Sequence, residues 1–414
     1  MHRGSLFKFL KASIGNIIEW YDFSLFAYYS ISISAVLFPQ QDLSHSIAEL
    51  FMIFGIGFIA RPLGGAVLGK FGDRFGHYLA VNISVYGMSL CSFLIAFIPS
   101  YSTIGVFSII LLMILRLGQG FCAGGQFSGL MAIVVDVTDN RRSFVANIAY
   151  TVSTLGLLLA VVIAAMLHFL MPESSYDYLW RIAFIISGIF GVVFHFVGVD
   201  KTDIKALDKK NTVKTESFTL LELIKTQYRA VIGVIILACY SGCMYFFAFS
   251  YLYTYLTVNL HFGMQSAYAI SMAQLVVGCL LYPIAGIIAD RLGKQRVSIF
   301  GTVMIAIITA IFLQVQALWL VLLLSVLLVI CHTLIISGIT SVSAEVFFPK
   351  WRMTGSAIAW SFGAGISGFF PMVSVMIYDN YGQSSLIALV IAVMITGIFG
   401  HYLIRISKGY KLLT

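Results

Sequence analysis

Long apolar segments alternate with short polar loops along almost the whole chain. A transmembrane helix needs about 20 predominantly apolar residues to cross about 30 Å of hydrocarbon. The pattern therefore predicts an all-α membrane protein of twelve transmembrane helices, with bounds at about 12–38, 47–69, 79–98, 103–135, 143–171, 181–199, 229–257, 266–289, 297–315, 317–344, 354–377 and 384–406.

One polar interruption is longer than the others and carries charges of both signs. It covers residues 200–227 and includes Lys201, Asp203, Lys209 and Glu216. A charged segment between two apolar blocks is typical of a linker in water. We predict an N-terminal six-helix bundle at 1–199, a cytoplasmic linker at 200–227 and a C-terminal six-helix bundle at 228–414.

Composition agrees with lipid as the solvent for most of the surface. The chain has 60% hydrophobic and 10% charged residues, whereas a soluble domain carries roughly 25% charge. The net charge of +8 comes from basic residues scattered over separate loops, which argues against nucleic acid as a partner. All six cysteines lie in apolar segments, so we expect no disulfide framework, metal or cofactor.

The basic residues also predict the orientation of the chain. Cytoplasmic loops of membrane proteins carry an excess of Lys and Arg. With the N-terminus inside and the predicted helices in place, all of the 25 Lys and Arg residues fall on the inner side except Arg61, Arg116 and Arg181. Both termini are therefore predicted to be cytoplasmic, and the first apolar segment is interpreted as a retained helix rather than a signal peptide.

A short charged loop occurs twice, about half a chain apart. Residues 69–77 read Gly-Lys-Phe-Gly-Asp-Arg-Phe-Gly-His, and residues 286–294 read Gly-Ile-Ile-Ala-Asp-Arg-Leu-Gly-Lys. In both, a glycine lies four residues before an Asp-Arg pair and another lies two residues after it. Internal repeats of this kind are typical of secondary transporters, whose substrate site lies at the repeat interface.

These features, with several longer motifs, carry a resemblance to a known family. The Gly-x-x-x-Asp-Arg-x-Gly loops and Arg-Leu-Gly-Gln-Gly at 116–120 resemble the major facilitator superfamily. Further motifs resemble its metabolite:proton symporter family: Gly-Asn-Ile-Ile-Glu-Trp-Tyr-Asp-Phe at 15–23, Arg-Pro-Leu-Gly-Gly at 61–65, Gln-Gly-Phe-Cys-Ala-Gly-Gly at 119–125, Trp-Arg-Ile-Ala-Phe at 180–184 and Glu-Val-Phe-Phe-Pro-Lys-Trp-Arg-Met-Thr-Gly at 345–355.

The resemblance implies a twelve-helix major facilitator fold in a bacterial inner membrane, working by alternating access. Members carry organic acids such as citrate, oxoglutarate or shikimate, or zwitterions such as proline and betaine, together with protons. Three positions depart from the family pattern. Gln126 replaces a usual Glu, His77-Tyr78 replaces basic residues, and Ser143 replaces a usual Gly.

Charged groups inside the bilayer are the first candidates for chemistry, because placing one there costs roughly 2.5–3.5 kcal/mol on insertion scales. Asn16, Glu19 and Asp22 are three residues apart, which puts them on one helix face. Glu19 and Asp22 are candidate proton carriers, and His332 is a third. The alternative is a structural role, in which these side chains satisfy basic groups or hydrogen bonds in the core.

Arg116 lies deep in the fourth predicted helix and cannot give up its proton, so we expect it to hold a carboxylate. That carboxylate belongs either to the substrate or to Glu19 or Asp22. Arg61 is a further candidate, more often structural. The remaining candidate substrate-binding residues are Asn16, Gln119, Gln126, Tyr240, Tyr245, Gln274 and Trp360; the alternative for the aromatic ones is packing.

The repeated loops are interpreted as a cytoplasmic gate rather than as substrate sites. We expect ion pairs between Arg74 and Asp136 and between Arg291 and Glu345, with Asp73 and Asp290 in the same gate. Exposed ion pairs are worth only about 0–1 kcal/mol, which suits a contact that opens in every transport cycle.

Together these residues predict a proton-coupled symporter of a small organic acid or zwitterion, functional as a monomer. No nucleophile and base are arranged as in an enzyme. Two alternatives remain open. One is an uncoupled facilitator or exchanger, which Gln126 in place of a family Glu favours. The other is a transporter-like membrane sensor.

Overall fold

The computed structural model describes residues 3–39, 42–75, 77–137, 142–172, 178–197, 220–348 and 352–407, and all regular structure in them is helical. The expected all-α class is therefore confirmed. The helices are α1 (Arg3–Tyr28), α2 (Ser30–Leu37), α3 (Leu43–Ile59), α4 (Arg61–Phe75), α5 (His77–Ile95), α6 (Tyr101–Ile104), α7 (Phe107–Val137), α8 (Arg142–Leu170), α9 (Leu179–Val197), α10 (Leu220–Phe246), α11 (Leu252–Thr254), α12 (Met264–Leu292), α13 (Lys294–Phe312), α14 (Leu318–Glu345), α15 (Arg352–Ser367), α16 (Phe370–Tyr381) and α17 (Gln383–Arg405).

Nine helical stretches within the described residues are long and apolar enough to cross a membrane. Two shorter apolar helices, Ile83–Ile95 and Leu179–Val193, accompany them. The first predicted span corresponds to α1 and α2, which are separated by a turn at Tyr29. Most of residues 200–227 lies outside the described part, and α10 begins at Leu220, earlier than the linker was expected to end.

The helices pack into two groups that meet along several long contacts. Within the first half, α1 packs on α8, and α4 and α5 both pack on α7. Within the second half, α13 packs on α14, and α10 packs on α15 and α17. The halves meet where α8 lies against α12, where α3 lies against α15 and α16, and where α1 reaches the segment after α10. A site between the groups is therefore lined by helices from both.

Glycines bring α7 into backbone contact with α3 and α4. A Cβ atom at Gly120 would overlap the carbonyl oxygen of Gly57, and one at Gly64 would overlap the carbonyl oxygen of Phe121. Small residues let membrane helices approach this closely. The contact fixes the position of Arg61, which begins α4, relative to α7.

The segment after α10 departs from α-helical geometry twice. Phe247–Tyr251 and Tyr255–Asn259 form π-helical turns on either side of α11. Each π turn adds a residue to a helical turn and is often found at functional sites. The aromatic side chains of this segment are mostly buried, and the rings of Phe247 and Tyr251 stack with centroids 5.8 Å apart.

Candidate functional site

A cavity lies between the two halves. The empty space within it and at its open mouth together amounts to about 660 Å³. The first half contributes helices α1, α3, α4, α7 and α8, and the second half contributes α10, α14 and α15. The lining residues are Trp20, Phe58, Arg61, Ala123, Gly124, Tyr150, Ala238, Ser241, Gly242, Tyr245, Phe246, Ile336, Trp360, Ser361, Ala364 and Ser367.

A buried ion pair stands at the wall of this cavity. The Nη2 atom of Arg61 donates a hydrogen bond to Oε1 of Glu19 over 2.8 Å, and both side chains are at least nine-tenths buried. The guanidinium also lies over the rings of Phe23 and Phe58, with centroids 4.7 and 4.3 Å from Cζ. Removing one partner of such a pair leaves a buried charge without compensation.

The break between α3 and α4 explains how Arg61 reaches the cavity. α3 ends at Ile59, Ala60 follows it, and Arg61 and Pro62 begin α4. Proline is tolerated in the first turn of a helix because the amide hydrogens there have no partner within the helix. Because α4 begins at this position, the long Arg61 side chain extends toward α1 and donates a hydrogen bond to Glu19.

A second polar cluster lies next to the first but is not part of the cavity wall. Nη1 of Arg116 donates to Oε1 of Gln119 over 2.8 Å. The amide nitrogen of Gln119 in turn donates to Oδ2 of Asp22 and, over 2.9 Å, to Oγ of Ser92. Asp22, Arg116 and Gln119 are fully buried. The expected carboxylate partner of Arg116 is thus linked to it through an amide.

Three phenyl rings surround the guanidinium of Arg116. Its Cζ atom lies 3.8 Å from the ring centroid of Phe26 and 4.9 Å from those of Phe23 and Phe54. Such contacts between a cation and aromatic faces are attractive, especially away from water. Arg116 is not among the residues that line the cavity, whose wall instead carries Arg61.

Several other candidates are used in helix packing. Asn16 donates to Oγ of Ser153 over 2.7 Å and ties α1 to α8. Tyr240 donates to Oγ1 of Thr302 over 2.8 Å. The amide of Gln274 donates to the carbonyl oxygen of Ser325 over 3.1 Å, between α12 and α14. The lining residues include none of these three, whereas Tyr245 and Trp360 are on the wall. The side chain of Gln126 lies outside the described residues.

His332 lies on α14 in an aromatic environment. Its Nδ1 atom is 2.9 Å from the hydroxyl oxygen of Tyr282, and its ring centroid is 5.6 Å from that of Tyr245 and 5.9 Å from that of Phe249. The ring is completely buried. His332 thus packs against Tyr245, and Tyr245 in turn lines the cavity.

Most residues of the cavity wall were missed by the sequence reasoning, among them Trp20 and Tyr150. Trp20 lies one residue from Glu19 but off the face shared by Asn16, Glu19 and Asp22, and Tyr150 lies on α8. Trp20 belongs to the motif of residues 15–23, which was the available signal. Its ring meets that of Tyr245 edge to face, with centroids 5.0 Å apart.

The ends of α8, α12 and α14 form a separate polar contact between the halves. Glu345 accepts hydrogen bonds from Nζ of Lys294 at 2.7 and 2.8 Å and from Nη1 of Arg142 at 3.3 Å. The carboxylate of Asp290 accepts from the backbone nitrogens of Ser143 and Phe144. We refer to Asp290, Glu345, Lys294, Arg142 and Ser143 as the end gate.

The end gate corrects one prediction. Arg291 was expected to pair with Glu345, but its side chain is exposed, and Glu345 bonds Lys294 and Arg142. The prediction of an Arg291–Glu345 pair is wrong for this conformation. Lys294 comes three residues after Arg291 and begins α13, which places it one helix further on. The side chains of Asp73, Arg74 and Asp136 lie outside the described residues, so their predicted pairing stays a prediction.

Long apolar helices packed into an all-helical bundle, with a cavity between its halves, are the architecture of a multi-pass membrane protein. Comparison with known proteins makes this more specific: the chain belongs to the Major Facilitator Superfamily, whose family profile matches residues 23–281. The relatives found are metabolite:proton symporters of that superfamily, so the resemblance drawn from the motifs is confirmed. The family and these relatives are transporters, not enzymes.

Three relatives illustrate the range. The chain is 27% identical to the proline/betaine transporter of Escherichia coli K12, over 94% of this chain and 81% of that protein. It is 26% identical to the shikimate transporter of the same strain, over 88% and 86%. It is 28% identical to the alpha-ketoglutarate permease of that strain, over 88% and 85%. The fold is similar to that of a D-xylose-proton symporter, with a TM-score of 0.74, 16% identity and coverage of 97% and 98%.

Proposed function

We propose that this protein is a proton-coupled symporter of a small organic acid or zwitterion. Twelve helices span a bacterial inner membrane, both termini are cytoplasmic, and a monomer is the working unit. The nine long apolar helical stretches, counted with α1 and α2 as one span and with α5 and α9, support that number of spans. The relatives that carry proline, betaine, shikimate or alpha-ketoglutarate support the substrate class.

The observation that carries the proposal is the Glu19–Arg61 pair at the cavity wall. Arginine keeps its proton in proteins, so Glu19 is the member of the pair that can exchange one. When Glu19 is protonated, its attraction for Arg61 falls and the guanidinium is free to bind an anionic group. A substrate carboxylate and a proton then enter together, with no uncompensated charge left in the membrane interior.

The Glu19 carboxylate and the substrate carboxylate compete for Arg61. This competition also couples the proton to the step in which the empty carrier reorients. Once the substrate leaves, Arg61 again needs a carboxylate, and Glu19 supplies it after releasing its proton. An empty carrier that reorients therefore holds the internal ion pair, and a loaded carrier holds a substrate and a proton. This alternation is what coupled symport requires, because a carrier with only one of the two ligands retains an unpaired buried charge.

Uptake into proteoliposomes tests the proposal. The purified full chain is reconstituted and offered proline, glycine betaine, shikimate, oxoglutarate or citrate, with and without an inward proton gradient. We expect the gradient to drive accumulation of at least one compound above equilibrium. Glu19→Gln is expected to abolish accumulation but to leave exchange of substrate across the membrane.

Glu222→Gln is the matched control, because it makes the same chemical change at an exposed position of α10. It should accumulate substrate like the original protein. Uptake that only equilibrates, with or without the gradient, would establish the uncoupled facilitator instead. Coupling that survives Glu19→Gln but is lost in Asp22→Asn would assign the proton to the second cluster.

A further inference from the structure

Two hydrogen-bond donors on the cavity wall have no partner among the described residues. They are Nε1 of Trp20 on α1 and the hydroxyl of Tyr245 on α10. Both atoms are buried, and the two rings touch across the boundary between the halves, with centroids 5.0 Å apart. Buried donors in native proteins nearly always have a partner, so two unpaired donors side by side on a cavity wall call for a ligand.

We call the part of the site formed by Trp20, Tyr245, Arg61 and Glu19 the corner of the cavity. It contains two further unpaired atoms. Nε of Arg61 and Oε2 of Glu19 also lack hydrogen-bond partners among the described residues. Arg61 and Tyr245 line the same cavity, and Glu19 bonds Arg61. The corner thus combines one guanidinium, two neutral donors and one exchangeable carboxyl group. A carboxylate is the anion that suits such a set, because its two oxygens accept several hydrogen bonds at once.

We propose that Trp20 Nε1 and Tyr245 OH both donate hydrogen bonds to one substrate carboxylate beside Arg61, and that the substrate carries a single carboxylate with an apolar or cationic remainder. The proposal rests on the transport function proposed above and assigns the substrate contacts within it. Because α1 and α10 belong to opposite halves, the carboxylate joins the two halves when it binds.

The remaining wall argues against a second carboxylate. Among the lining residues that the structure describes, Arg61 is the basic one. Arg116 is not among the residues that line the cavity, and its guanidinium lies against Phe23, Phe26 and Phe54. The rest of the wall is built mostly of aromatic and small side chains, including Tyr150, Phe246 and Trp360. A second carboxylate would lose its hydration there without a second basic side chain to compensate its charge, whereas an alkyl or cationic group packs well on aromatic faces.

Equilibrium binding to the purified full chain in nanodiscs tests the proposal without a gradient. The probes are radiolabelled proline and glycine betaine, each with one carboxylate, and radiolabelled oxoglutarate and citrate, with two and three. We expect at least one of the first two to bind, more tightly than oxoglutarate or citrate. Tyr245→Phe and Trp20→Phe are each expected to weaken that binding by about tenfold, since each removes one donor to a charged acceptor.

The chain offers a matched control for each variant. Tyr251 and Trp180 also carry a buried donor that has no partner among the described residues, but neither lines the cavity. Tyr251→Phe and Trp180→Phe make the same chemical changes and should bind like the original protein. They also show whether loss of an aromatic polar atom by itself disturbs the fold.

Separate results would overturn the proposal and the transport function. Unchanged affinity in both Tyr245→Phe and Trp20→Phe would remove the two donors from the substrate site. Tighter binding of citrate or oxoglutarate, or no binding of either monocarboxylate, would overturn the substrate class. Specific binding that needs Tyr245 and Trp20, combined with uptake that ignores the proton gradient, would leave the binding assignment standing and overturn coupling alone.

Discussion

Asp290, on α12 of the second half, caps the first turn of α8 in the first half by accepting a hydrogen bond from the backbone of Ser143. The carboxylate at the end of α12 accepts hydrogen bonds from the backbone nitrogen of Ser143 at 3.2 Å and from that of Phe144 at 3.1 Å. The first amides of a helix lack partners within it and carry partial positive charge, so an acidic side chain there is stabilising. In this protein, the cap of α8 comes from across the end gate, and it is lost whenever the halves separate there.

Removing this cap should shift the balance between conformations. Loss of a helix cap typically costs about 0.5–2 kcal/mol, so Asp290→Ala should favour the open end gate by several-fold, with Asp290→Asn intermediate. Hydrogen exchange of the amides at the start of α8, followed by mass spectrometry in nanodiscs, should become faster. Asp379→Ala alters an exposed aspartate on α16 and should leave that exchange unchanged. Equal exchange in the original protein and in all three variants would show that Asp290 does not cap α8 in the membrane.

The ion pairs of Glu345 should contribute to the same closure, more weakly. Glu345 is partly accessible, with a side chain that is 10% exposed, and its two partners are more so. Pairs of this kind are worth about 0–1 kcal/mol. We expect Lys294→Met and Glu345→Gln to change the rate of uptake by a few-fold with little effect on substrate affinity. The uptake rate of the double variant should resemble those of the single variants. Strictly additive effects on that rate would show that Lys294 and Glu345 act independently.

Asn147 should destabilise the closed contact between α8 and α12. Both polar atoms of its side chain are buried without partners among the described residues, and its amide faces Gly286. An unsatisfied buried group costs about 1–3 kcal/mol. Asn147→Ala should therefore raise thermal stability and slow turnover, because the closed state becomes harder to leave.

Asn380→Ala is the control for that variant, since Asn380 is exposed on α16. Its thermal stability and uptake rate should stay close to those of the original protein. A lower melting temperature for Asn147→Ala would mean that the amide makes a favourable contact in the membrane.

Gln119 should be essential for the stability of the first half. It links Arg116 to Asp22, and all three side chains are completely buried. Gln119→Leu leaves two buried charges without their bridge, and breaking a buried pair typically costs about 3–5 kcal/mol. A strong decrease in the thermal unfolding temperature is expected, and Gln265→Leu, at an exposed site on α12, should have little effect. A stable Gln119→Leu variant would show that Asp22 and Arg116 satisfy each other directly.

The sequence predicted the intramembrane charged groups better than their partners. The cost of buried charge singled out Glu19, Asp22, Arg61 and Arg116, and the helical period placed the first two on one face. The bond between Arg116 and Gln119 connects residues three apart on one helix. In contrast, Glu19 and Arg61 are 42 positions apart, and their meeting depends on the position at which α4 begins after α3 ends.

The end gate shows a second limit of sequence reasoning. Glu345 was expected to pair with Arg291, and Asp290 was placed in the same gate without a named partner. Asp290 binds backbone amides, which every residue except proline has, so no residue type marks them. The choice of Lys294 over Arg291 follows from the short turn between α12 and α13 at Gly293, whose φ of 100° favours glycine.

The close contact of α7 with α3 and α4 has a consequence for how substrate preference changes during evolution. At Gly64 and Gly120, any side chain would collide with the backbone of the neighbouring helix. Variants at these positions are eliminated with the fold itself, whatever they would do to the cavity. Ser241 and Ala364 already carry side chains and line the cavity from α10 and α15. A lineage that acquires a new nutrient is therefore expected to record the change at wall positions such as these, while Gly64 and Gly120 keep their ancestral glycines.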